Sequence, residues 1–120
     1  MAGNLSKIVT TRDGTINPAA MAEMLGISNR ELAELLGLSF ASVCRQSQLC
    51  TPATQRRLRD VVQIIKEILP WCGSVPQALA WYCHRRLGSF GGRTAEEVVK
   101  AGHCEAVMQY LLRIASGGFA

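Results

Sequence analysis

The sequence predicts an all-α protein with an N-terminal helix-turn-helix module, a long connecting helix and a small C-terminal helical module. Three observations favour this class. Capping residues recur before apolar stretches, and apolar side chains recur at spacings of three and four residues. No stretch alternates at period two over a useful length, because the one candidate, Lys7 to Thr11, is too short to predict a strand.

The composition of the chain indicates a folded protein of modest size. Its 120 residues suffice for one domain or for two small helical modules that share a core. Hydrophobic residues make up 48% of the chain and charged residues 18%, which favours a buried core over global disorder. No apolar run approaches a membrane span, and residues 1–12 lack the pattern of a signal peptide. Because the five cysteines are odd in number, we expect mostly reduced thiols and a cytoplasmic location.

The first two helices have clear start and stop signals. Asn17-Pro18 provides a cap followed by proline at the first helical position, and Gly26 closes that short helix. Ser28 and Glu31 then have the spacing of a capping box, in which each side chain binds the backbone N–H of the other residue. Gly37 ends this second helix.

Residues 29–48 have the pattern of a helix-turn-helix. The capped helix is followed by the turn Gly37-Leu38-Ser39 and by another helix from Phe40 to about Gln48. Small and apolar residues at Ala33 and Val43 let the two helices cross closely, which is how such a unit aims its second helix into the DNA major groove. A plain helical hairpin is the alternative.

If this unit binds DNA, the start of its second helix faces the base edges. Arginine is suited to guanine and glutamine to adenine, whereas an aromatic residue there either touches a thymine methyl or is packed inside. The expected base contacts are Phe40, Ala41, Ser42, Arg45 and Gln46. The expected phosphate contacts are Arg56 and Arg57, with a solvated helix face as the alternative. Residues 41–70 hold five basic and two acidic side chains, the largest excess within a net charge of +4.

A long helix connects the two halves of the chain. It opens at Thr51-Pro52, carries apolar residues at helical spacing, and is expected to end at Pro70. In the second half, capping-box spacing recurs at Ser74 with Gln77 and at Thr94 with Glu97. The predicted parts are an N-terminal segment (1–16), a helix-turn-helix module (17–70) and a C-terminal module (71–120). Whether the N-terminal segment is flexible stays open.

Two Cys/His pairs, Cys83-His84 and His103-Cys104, supply four side chains of the kind that bind zinc. Adjacent residues would have to bend onto one ion, so we expect buried thiols and surface histidines, and no metal. No Ser/His/Asp or Cys/His set has a catalytic sequence context, and Gly91-Gly92 lacks the pattern of a phosphate-binding loop. We therefore expect neither enzymatic activity nor a cofactor.

The last 50 residues combine a tryptophan, a Gly-Gly-Arg-Thr loop, a valine- and leucine-rich helix and a Gly-Gly-Phe-Ala ending. The residues concerned are Ala80-Trp81-Tyr82, Phe90 to Glu97, Val98-Val99, Gly102, Val107, Leu111-Leu112, Ile114 and Gly117-Gly118-Phe119-Ala120. Together they resemble the toxin-binding domain of the Xre/MbcA/ParS antitoxin family. The helix-turn-helix before them fits the same family, so the resemblance covers almost the whole chain. It departs at Ala95, where many relatives have proline, and this leaves the toxin subtype open.

The resemblance implies a function and a partner. Such antitoxins belong to type II toxin–antitoxin systems, in which they bind a RES-domain toxin, an enzyme that consumes NAD, and occlude its active site, often with their own C-terminal segment. Many members form homodimers, and some repress their own operon by binding operator DNA.

The toxin-binding residues that the resemblance suggests here are Arg93, Gly117, Gly118, Phe119 and Ala120. The paired glycines would steer Phe119 and the Ala120 carboxylate into a concave site. Arg93 either contacts the partner or fastens the loop to the protein's own helices. The alternative function is a free-standing helix-turn-helix regulator whose C-terminal module only dimerises.

Overall fold

The computed structural model describes residues 15–115, apart from the side chain of Gln46. Within that range the chain is all-α, as the sequence predicts, with eight α-helices and one small hairpin. The helices are α1 (Pro18–Leu25), α2 (Asn29–Leu36), α3 (Phe40–Cys44), α4 (Gln46–Leu49), α5 (Pro52–Cys72), α6 (Val75–His84), α7 (Ala95–Lys100) and α8 (Cys104–Ala115). The hairpin pairs β1 (Arg86–Leu87) with β2 (Arg93–Thr94) across a 3₁₀ turn at Gly88–Phe90. The alternating stretch from Lys7 to Thr11 lies outside the described residues.

The predicted caps of α1 and α2 are confirmed. The Asn17 side chain accepts hydrogen bonds at the start of α1, and Ser28 and Glu31 form the reciprocal capping box of α2. Both helices end at glycines in the left-handed region, Gly26 at φ 75° and Gly37 at φ 70°. At each end the next two N–H groups return to carbonyls of the last turn, so the end of the helix is closed by backbone hydrogen bonds.

The prediction of one continuous helix from Phe40 to about Gln48 is wrong. Arg45 is extended, at φ −87° and ψ 127°, and separates α3 from α4. Its N–H donates to Ala41, and its carbonyl accepts from the N–H groups of Gln48 and Leu49. Val43 is the only buried side chain of α3, and the residues one turn beyond it are polar. Continuing the helix would therefore bury no apolar surface to stabilise it.

The prediction that Pro70 ends the connecting helix is also wrong, because α5 continues to Cys72. Proline forfeits one N–H bond and its ring crowds the carbonyl four residues earlier, but neither effect acts on the two residues that follow it, which remain helical. The helix ends at Gly73, which adopts φ 91° and donates its N–H to the carbonyl of Leu69.

The C-terminal caps are confirmed in part. Thr94 and Glu97 form the full capping box of α7. Ser74 accepts the N–H of Gln77 at 3.4 Å, which is one half of the box predicted for α6, and the structure records no return bond from the Gln77 side chain. Residues 86–94, which include the Gly-Gly-Arg-Thr loop, form a hairpin that the sequence did not reveal because each strand is only two residues long.

A single cluster of buried apolar side chains extends over both predicted modules. Helix α5 lies at its centre, where Leu58, Val61 and Ile64 have no exposed surface. This helix contacts α2 and α4 on the N-terminal side and α6 and α8 on the C-terminal side. Ile16 is also buried, and its N–H and carbonyl both bind the buried amide of Gln55. Ile16, which lies just before α1, is thereby fastened to α5.

Candidate nucleic-acid and partner interfaces

Helices α1, α2 and α3 form a three-helix unit in which each helix contacts the other two. The turn between α2 and α3 is the predicted one, since Gly37 ends α2 and Ser39 caps α3 by accepting the N–H of Ser42. This unit has the helix order and tight turn of a helix-turn-helix, with α2 as the first helix and α3 as the second. Helix α3, however, has only five residues. The short α3 offers less than two turns to a groove.

The predicted base-contacting residues differ in their exposure. Phe40 is 43% exposed, so of the two alternatives for this ring, the packed interior is excluded. Its ring lies against the guanidinium of Arg30, whose central carbon Cζ is 4.8 Å from the ring centroid. Ala41 and Ser42 are half-buried, and the Ser42 hydroxyl lies 2.9 Å from that of Ser39. Phe40 is therefore the accessible one of these three side chains.

Arg45 is exposed in the extended link between α3 and α4, and Arg56 is exposed on α5. Arg57 is half-buried and donates from Nη1 to the carbonyl of Leu36 at 2.7 Å, which satisfies one of the open carbonyls at the end of α2. The predicted phosphate contacts thus occupy different environments, with Arg56 facing solvent and Arg57 engaged within the fold. The side chain of Gln46 lies outside the described part of the structure.

A carboxylate lies close to the basic residues of α5. Burial raises the pKa of Asp60 above its ordinary value, although hydrogen bonding to Cys104 and the charges of the nearby arginines act in the opposite direction. The arginines concerned are Arg56, Arg57 and Arg59. Asp60 therefore places a partly buried carboxyl group among these three arginines. Its charge acts mainly on them, because salt screens its interaction with charges that lie farther away.

The loop after α6 is held by its own side chains. Arg93 donates from Nε to the carbonyl of Phe90 at 3.2 Å, and Arg86 donates from Nη1 to the carbonyl of Gly92 at 3.3 Å. The Phe90 ring packs against Tyr110 of α8, with centroids 5.7 Å apart. Arg93 therefore binds a carbonyl within its own loop, the Phe90 ring provides the contact of this loop with α8, and the exposed remainder of the Arg93 side chain is accessible.

The predicted tail residues Gly117, Gly118, Phe119 and Ala120 lie outside the described residues. The last described helix, α8, reaches Ala115. Trp81 is half-buried and packs against the core.

The thiols of the two Cys/His pairs are both half-buried, and each lies near a carboxyl group. Burial, together with the nearby Glu96, raises the pKa of Cys83 to about 12. Burial, together with Asp60, raises the pKa of Cys104 to about 12. Both thiols are thus protonated at neutral pH. In residues 15–115 no group of three or more Cys, His, Asp or Glu side chains is arranged to hold a metal ion.

A groove that the sequence did not reveal runs between α2, α6 and α7. Its volume is about 480 Å³, and apolar residues such as Leu35 and Leu79 line it. Three carboxylates, those of Glu31, Glu34 and Glu96, also line it. The only available sequence signal was the acidic excess of residues 1–40, four acidic against three basic side chains, which does not locate a groove.

Comparison of the chain with protein-family models, with curated proteins and with solved structures finds no match. None of the helices in the described range combines the length and the apolar composition that are needed to span a membrane.

Proposed function

We propose that this protein is the antitoxin of a type II toxin–antitoxin system, and that it binds and occludes a RES-type, NAD-consuming toxin. The proposal starts from the resemblance of residues 71–120 to the Xre/MbcA/ParS family. The structural observation that supports it is the ordered loop at residues 88–93, where two arginine side chains and the packing of Phe90 on Tyr110 hold the backbone in place. A loop held in this way binds a partner at a lower entropic cost than a mobile one.

In this proposal the loop and the C-terminal residues act together. The exposed face of Arg93 contacts the toxin beside its active site. Gly117 and Gly118 give the chain access to backbone conformations that other residues avoid, and Phe119 is the aromatic anchor that enters the toxin's cleft. The antitoxin itself carries out no chemistry and needs no cofactor.

The test is co-expression with the product of the neighbouring gene. We expect the full chain to rescue growth, and a truncation ending at Ser116 to rescue poorly because Phe119 is lost. Arg93→Ala is expected to weaken complex formation about tenfold in a pull-down titration. Arg113→Ala is the matched control, since it removes an exposed arginine from α8. Full rescue by the truncated chain would refute insertion of the tail, and absence of rescue by the full chain would refute the antitoxin function.

A DNA-binding function, either as autorepression or as that of a free-standing regulator, is favoured by the exposure of Phe40, Arg45 and Arg56 next to the helix-turn-helix unit. In this second proposal Arg45 reads bases and Arg56 binds phosphate. A RES-type enzyme encoded beside this gene favours the antitoxin function, and its absence favours the regulator.

Titration of the chain's own promoter and of a scrambled duplex separates the two roles. Arg45→Ala should reduce the preference for the promoter, by about 1–3 kcal/mol for a bidentate base contact. Arg56→Ala should weaken binding to both duplexes alike and reduce its salt dependence. Lys66→Ala, an exposed cation farther along α5, is the control. Equal losses from Arg45→Ala on both duplexes would contradict a base-reading role.

A further inference from the structure

The groove between α2, α6 and α7 has room for side chains, and its lining combines apolar residues with three glutamates and His84. Leu35 of α2 and Leu79 and Ala80 of α6 contribute to it, together with Ile27 from the turn before α2. Its volume of about 480 Å³ lies within the range of about 300–1,000 Å³ that is typical of ligand-binding clefts. Leu79 and Ile27 are only half-buried, so the groove leaves apolar surface in contact with water.

The charges at this groove are opposite in sign to the net charge of the chain. Glu31 and Glu34 project from α2 and Glu96 from α7. Glu96 forms an ion pair with Lys100 at 2.9 Å, whereas Glu31 accepts the N–H of Ser28. The two carboxylates of α2 therefore give the groove a negative edge on a chain of net charge +4.

We infer that this groove docks a basic amphipathic segment of a partner protein. Apolar side chains of the segment would cover Ile27 and Leu79, and its lysine or arginine side chains would lie beside Glu31 and Glu34. The same carboxylates disfavour nucleic acid and acidic segments, because like charges brought together across an interface are destabilising. The groove uses none of the residues assigned above to DNA or to the toxin, so the inference does not depend on the proposed function.

The probe is a fluorescein-labelled amphipathic helix made of leucine and lysine, compared with a counterpart in which glutamate replaces every lysine. Anisotropy titrations use the full chain. We expect the basic peptide to bind, with affinity that falls as salt rises, and the acidic peptide to bind at least about tenfold more weakly. Amide chemical shifts in a matched titration should move at Leu35 and Leu79.

Two pairs of variants locate the site. Glu34→Lys reverses an exposed charge at the groove and should weaken the basic peptide about tenfold, whereas Glu105→Lys makes the same change in charge on α8 and should leave affinity unchanged. Ala80→Trp fills the groove from an exposed helical position and should therefore weaken binding of the basic peptide. Ala106→Trp is its control on α8 and should leave the affinity unchanged. A thermal melt of each variant establishes that it is folded.

Equal binding of the two peptides, or equal loss from Glu34→Lys and Glu105→Lys, would overturn the inference. It would also be overturned if sedimentation shows that the chain dimerises on its own and that Glu34→Lys makes it monomeric, because a second copy would then occupy the groove.

Discussion

Two arginines beside the N-terminal helical unit, α1 to α4, differ in their contacts from the two arginines of the hairpin in the C-terminal part, which comprises that hairpin and α6 to α8. Arg45 in the first part is exposed beside a short helix, and Arg56 at the start of α5 faces solvent next to it. Arg86 and Arg93 in the second part bind main-chain carbonyls of their own loop. An arginine that is available to a ligand and one that shapes a loop thus look alike in the sequence. Only the position of nearby carbonyls distinguishes them.

The cysteines show a similar contrast. Cys44 at the end of α3 and Cys50 just after α4 are exposed. Cys83 and Cys104 are half-buried, and burial raises the pKa of each to about 12. The thiols of the C-terminal part therefore belong to its packing, since protonated thiols behave as small apolar groups. The count of cysteines alone could not separate the two environments.

The largest expected effect tests whether the two parts are independent. Leu58 has no exposed surface and lies on α5, which both parts contact. Leu58→Ala should lower the free energy of unfolding by about 2–5 kcal/mol, because it removes buried methyl groups and leaves a cavity. Urea denaturation followed by circular dichroism measures the loss. Amide exchange should show that residues 18–49 and 75–115 lose protection together.

Lys66→Ala on the exposed face of α5 is the control for this substitution and should change stability by no more than about 0.5 kcal/mol. If residues 75–115 keep their protection while residues 18–49 lose theirs, the two parts do not share a cooperative core.

A smaller effect tests the contact between the two parts at the end of α2. Gly26 and Gly37 both have positive φ, so alanine at either position should cost about 1–2 kcal/mol. A Cβ at Gly26 would meet open space, whereas one at Gly37 would lie 3.0 Å from Cγ of Lys100 on α7. Gly37→Ala should therefore be the more destabilising of the two in chemical denaturation.

A double-mutant cycle with Lys100→Ala identifies the cause of that difference. Removing the Lys100 side chain should bring the cost of Gly37→Ala down to that of Gly26→Ala, because the crowded atom is gone. If the excess cost persists without Lys100, the two parts do not meet through this side chain.

The smallest effect concerns the capping box of α7. Hydrogen bonds from Thr94 lower the pKa of Glu97 below its ordinary value of 4.5. A carboxyl group with a lowered pKa stabilises the fold above its unfolded pKa, and this contribution is lost as the pH falls through the folded value. The stability difference between the wild type and Glu97→Gln should thus be constant near neutral pH and shrink below about pH 4. A pH-independent difference would show that the charge of Glu97 is not involved.

Local signals predicted most of the helices correctly. Ser28 with Glu31, Thr94 with Glu97, Gly26 and Gly37 act through hydrogen bonds and dihedral angles within a few residues, so their outcome is largely independent of the rest of the fold. The two wrong boundaries, at Arg45 and Pro70, came from the weight given to competing local signals. The residues one turn beyond Val43 are polar and give a longer α3 nothing to bury, and the glycine at position 73, not the proline, ends α5.

By itself, the sequence determined the all-α class, the capped helix ends and the closely turned pair α2 and α3, because these follow from short-range hydrogen bonding and helical periodicity. The tertiary structure decided which charged groups are available. It engaged Arg57 at the carbonyl of Leu36, and it brought Glu34 of α2 and Glu96 of α7, far apart in the chain, to the same groove. Such juxtapositions depend on how helices pack around α5, and packing is a property of the whole core.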